Sequence, residues 1–168
     1  LVQFRNGSTL YLIASDLAAR GLDIPEVKNV IHFELPLKQT DFVHRNGRTA
    51  RMHAEGTAYL IVQHDEPLPV YLTEAPPVLE ITEDEPLPAL SPWVTLYISG
   101  GKKDKLSKMD IVGFLSKKGD LHKDDIGKIE VMDFMSFVAV KKDIAQHLLK
   151  AIHTEKMKGK KYKIVVTN

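Results

Sequence analysis

At 168 residues the chain has material for one full domain and a fragment. It contains no cysteine, which fits a reducing cytoplasm but is also compatible with any other compartment, and no apolar run approaches the ~20 residues of a membrane span. No signal peptide opens it, so we expect a cytoplasmic protein with no membrane partner. The net charge of +1 conceals a sharp division, because residues 1–63 carry +1, residues 64–92 carry −7 and residues 93–168 carry +7.

The first predicted element is a buried strand over residues 9–14, because an apolar run leads directly into a polar loop. Ligands of open α/β sheets bind at the carboxyl ends of such strands. Gly21, which has no side chain, would allow a ligand to approach the backbone closely, and Asp23 could accept a hydrogen bond from a ribose hydroxyl. Asp16 also suits the N-cap of a following helix, and Arg20 suits a surface ion pair.

The segment HRNGRTAR at residues 44–51 holds three arginines and a histidine. Arg48 and Arg51 are three apart, so on a helical turn they project to the same side. Two guanidinium groups directed at one point suit a triphosphate that gains charge during transfer. The alternative interpretation is the start of an amphipathic helix with solvated arginines.

Together the two segments resemble the last two motifs of DEAD-box RNA helicases, roughly TD-x-x-x-RG-x-D and HR-x-GR-x-GR. Here they stand as SDLAARGLD at residues 15–23 and HRNGRTAR at residues 44–51. The pair at this separation is far more specific than either motif alone. The departures are a serine, an asparagine and an alanine that replace the usual threonine, apolar residue and last glycine: Ser15, Asn46 and Ala50.

The resemblance implies a role for each matching residue. Arg48 and Arg51 would be arginine fingers that reach the γ-phosphate of ATP, and Asp23 would contact the ribose. His44 would link to the motifs of a first helicase lobe when the two lobes close. The residues implied to touch the RNA backbone are Ser15, Arg20 and Gly21. The implied cofactor is ATP, with Mg²⁺ held by that first lobe.

No G-x-x-x-x-G-K-[ST] and no Asp-Glu-Ala-Asp sequence occurs in the chain. Without a phosphate cradle and a metal-holding carboxylate the arginines have nothing to act on, so we expect no ATP hydrolysis by this chain alone. We interpret it as a C-terminal piece of a longer helicase that begins inside the second RecA-like lobe, with the first lobe as a partner.

Residues 64–92 hold seven of the nine prolines and no lysine or arginine. Proline disfavours long helices and central strands, and the acidic residues repel one another. This composition predicts an extended linker, since almost thirty residues is long for a loop inside a domain.

From Trp93 onward the pattern predicts alternating strands and helices. Strands are expected at 94–99, 128–132, 136–140 and 162–166, and helices at 107–116 and 144–153. The order is βαββαβ, a split βαβ unit. The scattered His122, His147 and His153 do not predict a metal site.

This half resembles an RNA recognition motif, specifically the C-terminal domain of the DbpA-like helicases. The resemblance rests on SGGKKDK at 99–105, DIGKI at 125–129 and GKK at 159–161. Tyr97 and Phe137 stand at the positions of stacking aromatics, whereas Met135 stands where another aromatic is usual. Either aromatic could instead be an ordinary sheet residue, and the lysines could be solvated. The lysines expected to bind RNA phosphates are Lys102, Lys103, Lys105, Lys160 and Lys161.

The predicted fold is therefore an α/β fragment of a RecA-like parallel-sheet lobe (1–63), an acidic proline-rich linker (64–92) and an α+β ferredoxin-like RNA recognition motif (93–168). The resemblance implies an ATP-dependent RNA helicase in ribosome assembly whose partner is a structured hairpin of large-subunit ribosomal RNA near the peptidyl-transferase centre. Two alternatives stay open. One is a stand-alone RNA-binding module with an inert helicase remnant. The other is a protein-interaction domain of the same fold, whose binding would not weaken with salt.

Overall fold

The computed structural model describes residues 1–16, 27–49, 55–63, 66–81 and 86–167. Its contacts divide the chain into two compact units, one formed by Leu1–Leu12 with Pro88–Asn168 and the other by Ile13–Leu87. In chain order the described helices and strands are α1 (Val2–Arg5), β1 (Asn29–His32), α2 (Gln39–Asn46), β2 (Thr57–Leu60), β3 (Trp93–Ile98), α3 (Lys108–Gly119), β4 (Ile126–Val131), β5 (Ser136–Lys141), α4 (Lys142–Ile152) and β6 (Ile164–Val166).

The unit Ile13–Leu87 contains a parallel pair of strands. β1 and β2 pair in register from Asn29 opposite Thr57 to His32 opposite Leu60. Helix α2 lies between them in sequence, as a crossover between parallel strands requires. The segment of this unit that bears the arginines therefore leads out of α2 towards the second strand.

The prediction of a buried strand over residues 9–14 is wrong. The structure assigns no strand there, and the side chains of Tyr11 and Ile13 are 63% and 100% exposed. An apolar run becomes a buried strand only where a neighbouring strand satisfies its backbone groups. In the described part of the chain β1 and β2 pair only with each other, so this run has no such neighbour.

The described parts of the acidic segment, residues 66–81 and 86–92, contain no helix or strand. The extended linker conformation that their proline content predicts stays a prediction. Tyr71 in this segment is partly buried, because its hydroxyl donates to the carbonyl of Pro36 and its ring packs against Phe42.

The unit with Pro88–Asn168 is built on an antiparallel four-stranded sheet in the order β4-β5-β3-β6. Both longer helices pack on one face of it. Alternate residues of the strands, such as Leu96, Ile98 and Val138, point to the helices and are fully buried. The helices contribute Ile111, Phe114, Leu115, Leu148 and Ile152 to the same core.

Helix α3 begins where its sequence provides a reciprocal cap. The Ser107 hydroxyl accepts from the Asp110 amide at 3.2 Å, and the Asp110 carboxylate accepts from the Ser107 amide at 2.9 Å. The same carboxylate also accepts from the Ser107 hydroxyl, and these bonds lower the pKa of Asp110. This cap fixes the direction in which the chain leaves the basic loop after β3.

Residues 1–12 lie against the other face of the four-stranded sheet. Thr95, which is 1% exposed, exchanges hydrogen bonds with the Asn6 side chain and lies 2.6 Å from the Ser8 hydroxyl. Arg5 forms a two-point ion pair with Glu130 through Nε and Nη2 at 3.0 and 2.9 Å. Polar contacts therefore cover part of a sheet face that would otherwise be open.

Candidate nucleic-acid interface

Arg45, which sequence reasoning did not assign as a site residue, joins the two helicase-like segments. Its Nε and Nη2 donate to the two carboxylate oxygens of Asp16 at 2.6 and 2.8 Å, and its Nη1 donates to the carbonyl of Glu34 at 2.8 Å. The bond to Asp16 raises the pKa of Arg45 further above its usual value. With its donors directed at these oxygens, Arg45 acts as a structural residue.

Arg48 lies just beyond α2 and is only partly exposed. Its amide donates to the Arg45 carbonyl, and its own carbonyl accepts from the Val27 amide at 2.9 Å. Its Nε is buried and has no hydrogen-bond partner among the residues that the structure describes. A buried donor left unpaired costs about 1–3 kcal/mol, so this guanidinium is suited to an incoming anion oxygen.

The structure describes only some of the other residues of the helicase-like segments. His44 is exposed in the last turn of α2, and Ser15 is exposed one residue before Asp16. Four of the predicted contacts to ATP or RNA lie outside the described residues: Arg20, Gly21, Asp23 and Arg51. The structure therefore brings together Asp16, Arg45 and Arg48, while the predicted pairing of two arginine fingers stays a prediction.

A buried histidine supports helix α2, which carries Arg45. His32 at the end of β1 is 1% exposed, stacks on Phe42 of α2 with ring centroids 4.8 Å apart, and places Nε2 2.7 Å from the Asn46 Oδ1. Burial lowers the pKa of His32, against the raising effect of its bond to Asn46. The sequence signal was a lone histidine at the end of an apolar strand, and periodicity alone does not distinguish it from a surface residue.

The basic loop after β3 is held against the turn between β4 and β5. The Lys102 amide donates to the Met132 carbonyl at 2.8 Å, and the Lys103 amide donates to the Asp133 carbonyl at 2.9 Å. The ammonium groups of Lys102, Lys103 and Lys105 are exposed and have no ion pair or hydrogen bond within the described ranges. A fixed backbone thus presents three free positive charges.

Glycine is required at two positions of this loop for reasons of space. A Cβ at Gly101 would lie 2.2 Å from the Met132 carbonyl oxygen, and one at Gly100 would lie 2.3 Å from the Tyr162 ring. The first clash involves backbone, which cannot move aside without breaking the bonds that hold the loop. The two glycines therefore allow the basic loop to pack against both the β4–β5 turn and the segment that leads to β6.

A second basic turn, Met157–Lys160, meets the same loop. Its Lys158 Nζ donates to the Lys105 carbonyl at 2.8 Å and forms an ion pair with Asp110 at 3.2 Å. Lys160 Nζ lies 2.5 Å from Asp104 Oδ1 and 5.2 Å from the centre of the Tyr162 ring. We call the six lysines at this junction the lysine cluster: Lys102, Lys103, Lys105, Lys158, Lys160 and Lys161.

The ion pair of Lys160 distinguishes it from most of the cluster. Its hydrogen bond holds the pKa of Asp104 below its usual value, and the same bond raises the pKa of Lys160. Lys160 is therefore partly neutralised by Asp104, whereas Lys161 is exposed with no bonded partner for its ammonium in the described structure. Sequence reasoning made no distinction between these two lysines and did not include Lys158 among the RNA-binding residues.

Tyr97 and Phe137 are direct neighbours across β3 and β5. Their rings meet edge to face, with centroids 5.8 Å apart and planes at 62°. Both are partly buried. They lie on the same sheet face as Thr95, two residues from Tyr97, where Asn6 and Ser8 are bound. The predicted aromatic pair is thus brought together on a face that residues 1–12 partly occupy.

No group of three or more metal-ligating side chains occurs in the part of the chain that was placed. The described helices likewise include none that is long and apolar enough to cross a membrane. The candidate binding groups are therefore the lysine cluster around the basic loop and Arg48, whose buried Nε has no hydrogen-bond partner among the described residues.

Comparison with known families matches these two sites to two domains. Residues 1–53 match the helicase conserved C-terminal domain, and residues 95–166 match the DbpA RNA binding domain. The chain belongs to the DbpA-like DEAD-box RNA helicases. It is 32% identical to the ATP-dependent RNA helicase DbpA of Bacillus subtilis over 99% of its own length and 37% identical to that of Escherichia coli over 95%.

This DbpA-like chain spans 40% and 36% of the lengths of those two relatives. The Oryza sativa DEAD-box ATP-dependent RNA helicase 53 is 52% identical, but over only 42% of this chain and 12% of its own length. The DbpA-like relationship extends across nearly the whole chain, whereas the match to the rice helicase covers less than half of it.

Proposed function

We propose that this chain is the RNA-binding part of an ATP-dependent DbpA-like helicase that acts in the cytoplasm on large-subunit ribosomal RNA during ribosome assembly. The observation that carries the proposal is the lysine cluster. Its exposed ammonium groups surround a loop whose backbone is fixed by the Lys102 and Lys103 amides. Phosphate groups are the ligands that such a surface attracts most strongly.

Charge distribution supports the same proposal. Residues 93–168 carry sixteen lysines against nine acidic residues, while residues 64–92 carry seven acidic residues and no lysine or arginine. Electrostatic binding to RNA releases counterions, so the affinity falls steeply with salt. A structured ribosomal hairpin is the partner that the family resemblance favours.

We further propose that residues 93–168 form a ferredoxin-like RNA recognition motif, joined through an acidic linker (64–92) to a RecA-like lobe fragment (1–63). The strand order β4-β5-β3-β6 with two helices on one face supports the motif. The parallel pair β1–β2 with its intervening helix supports the lobe.

We also propose that residues 1–63 complete an ATP site when a first lobe is present. The buried, unpartnered Nε of Arg48 supports a contact to the γ-phosphate. Arg51 would act beside it, Asp23 would bind the ribose and His44 would contact the first lobe. When bound, ATP would supply the phosphoryl group that is hydrolysed, and the first lobe would hold Mg²⁺. The arginines of this chain would bind and orient the γ-phosphate.

A salt titration of RNA binding tests the proposed function. The chain is titrated with a labelled hairpin from large-subunit ribosomal RNA and with an unrelated hairpin. We expect preference for the ribosomal hairpin and an affinity that falls linearly on a log–log plot against salt. Changing Lys102 and Lys103 to glutamate should weaken binding and flatten the slope, whereas the same change at Lys123 and Lys142, at the other end of the sheet, should do so less.

Two results would contradict the proposal. Equal, weak binding to both hairpins would indicate a generic basic domain. No binding to either hairpin would favour the protein-interaction alternative, in which the chain binds a protein partner and that binding does not weaken with salt. For the ATPase part, Arg48→Ala in a protein that also carries the first lobe should lower kcat by a large factor with RNA affinity near normal, and normal turnover would exclude the finger role.

A further inference from the structure

The turn between β4 and β5 exposes an aromatic ring that has no assigned role. Phe134 is 69% exposed. Residues 93–167 contain six phenylalanine, tyrosine and tryptophan residues, and Phe134 is the only one of them that is exposed. A single exposed apolar side chain is ordinary at a protein surface, so exposure alone does not indicate a site.

The position of Phe134 provides the second observation. Its turn is closed by the Met132 amide, which donates to the Met135 carbonyl at 2.8 Å, and is bound from outside by the Lys102 and Lys103 amides. The exposed ring therefore belongs to a turn that is bound by the backbone of Lys102 and Lys103, two of the lysines with free ammonium groups. The turn and the basic loop form one hydrogen-bonded unit.

An aromatic face beside free cations matches the chemistry of single-stranded RNA. Each nucleotide offers a flat base and a phosphate, and base stacking contributes roughly 1–3 kcal/mol per base in such sites. We propose that Phe134 stacks on an unpaired base of the bound RNA while Lys102 and Lys103 bind adjacent phosphates. This inference rests on the proposed RNA-binding function and adds to it a site for a single-stranded segment.

The charges around Phe134 favour RNA over an apolar protein surface. The hydrogen-bonded unit around Phe134 contains Lys102, Lys103 and Asp133 beside the less exposed Met132 and Met135, so the surface near the ring is charged as well as apolar, unlike the wide apolar patches that protein partners cover. By contrast, the rings of Tyr97 and Phe137 contact each other and are partly buried, which leaves Phe134 as the more accessible ring.

The test compares two RNA probes on the full 168-residue chain. One is a hairpin with a short single-stranded extension, and the other is the same hairpin with abasic sugars in the extension, which keeps the phosphates and removes the bases. Phe134→Ala should weaken binding of the first probe by roughly 5- to 150-fold and leave the second nearly unchanged. The salt slope should stay the same, because no phosphate contact is removed.

Two further variants make the test decisive. Phe134→Trp should restore binding of the first probe, since tryptophan also stacks, which separates stacking from damage to the turn. Met109→Ala is the matched control, because Met109 is another exposed apolar side chain (76%) of the same unit, and it should bind as the wild type does.

The outcomes distinguish this inference from the function on which it rests. Salt-dependent binding of the wild type with no difference between Phe134→Ala and wild type would overturn the stacking role and leave the proposed function standing. An equal loss on both probes would also overturn it, because the bases would then be irrelevant. If the wild-type chain fails to bind either hairpin, the proposed function fails first.

Discussion

Arg45 and Asp16 form a two-point ion pair, with Nε to Oδ1 at 2.6 Å and Nη2 to Oδ2 at 2.8 Å. They belong to the two helicase-like segments that are separate in sequence, 29 residues apart. The fork geometry uses arginine's planar array of donors, which lysine cannot reproduce. The pair thus fixes the segment before Arg48 relative to Asp16 and the described residues that precede it.

We predict a favourable coupling between these two side chains. In a double-mutant cycle of Arg45→Gln and Asp16→Asn, the coupling should be about 1 kcal/mol or less, because the Asp16 side chain is 43% exposed to solvent. The measurement is hydrogen exchange of the α2 amides in all four proteins. Strict additivity would show that the pair contributes nothing to holding the segment.

A pair of glycine substitutions tests the space around the basic loop. Gly101→Ala should destabilise the unit that contains Trp93 by about 1–3 kcal/mol, because the new methyl group would meet the Met132 carbonyl. Gly113→Ala is the control in α3, where no atom lies within 4 Å of the added carbon, and it should stabilise the helix by about 0.5–1 kcal/mol.

Trp93 is the only tryptophan of the chain, so its fluorescence during urea unfolding reports this unit. Equal stability of the two alanine variants would contradict the close approach at Gly101. A loss of stability in Gly101→Ala should also weaken RNA binding, since the loop backbone positions the free lysines.

The elements that could be predicted from sequence depend on local chemistry. Ser107 and Asp110 are three residues apart and cap α3 as their spacing suggests, and β3 forms at Trp93–Ile98 where apolar and polar residues alternate. These signals act within a few residues, so composition and periodicity contain them.

Long-range pairs could not be predicted in this way. Lys160 and Asp104 are 56 residues apart, and nothing near either residue indicates the ion pair. The apolar run over residues 9–14 suits a buried strand, but a strand also needs a neighbouring strand, and that depends on the rest of the sheet. The contact of residues 1–12 with Thr95 was likewise unpredictable, because Asn6 and Ser8 carry no pattern that specifies a partner.

We predict that removing the acid beside Lys160 increases RNA affinity. Asp104→Asn should free the ammonium of Lys160 and make the log–log dependence of affinity on salt steeper by up to about 0.9, one additional phosphate contact. The amide can still accept from the Gly101 amide, as the carboxylate does at 3.1 Å. The loop should therefore keep its shape.

Asp143→Asn is the control for that experiment. It removes the same charge from an exposed position in the first turn of α4, away from the β4–β5 turn. It should increase affinity slightly through net charge alone and leave the slope unchanged. Identical slopes in both variants would mean that Lys160 does not bind phosphate even when it is free.

The burial of His32 predicts a pH dependence in the unit Ile13–Leu87. Desolvation lowers the pKa of His32 below its usual value of about 6.5, with a smaller lowering by the charge of Arg45, against raising by the bond to Asn46 and by the charge of Asp16. Below about 6.5 the unfolded state therefore binds more protons than the folded state. The contribution of His32 to stability is complete above that pH and declines as the pH falls towards its lowered pKa.

Two measurements check this. An NMR titration of the imidazole ring protons should give a midpoint below about 6.5. Hydrogen exchange of β1 and α2 amides should become faster, after correction for the intrinsic rate, between pH 7 and pH 5. In His32→Gln, which keeps a polar group near Asn46 but does not titrate, this part of the pH dependence should vanish even though loss of the Phe42 stack lowers stability at every pH. The same slope in both proteins would show that His32 is not the group responsible.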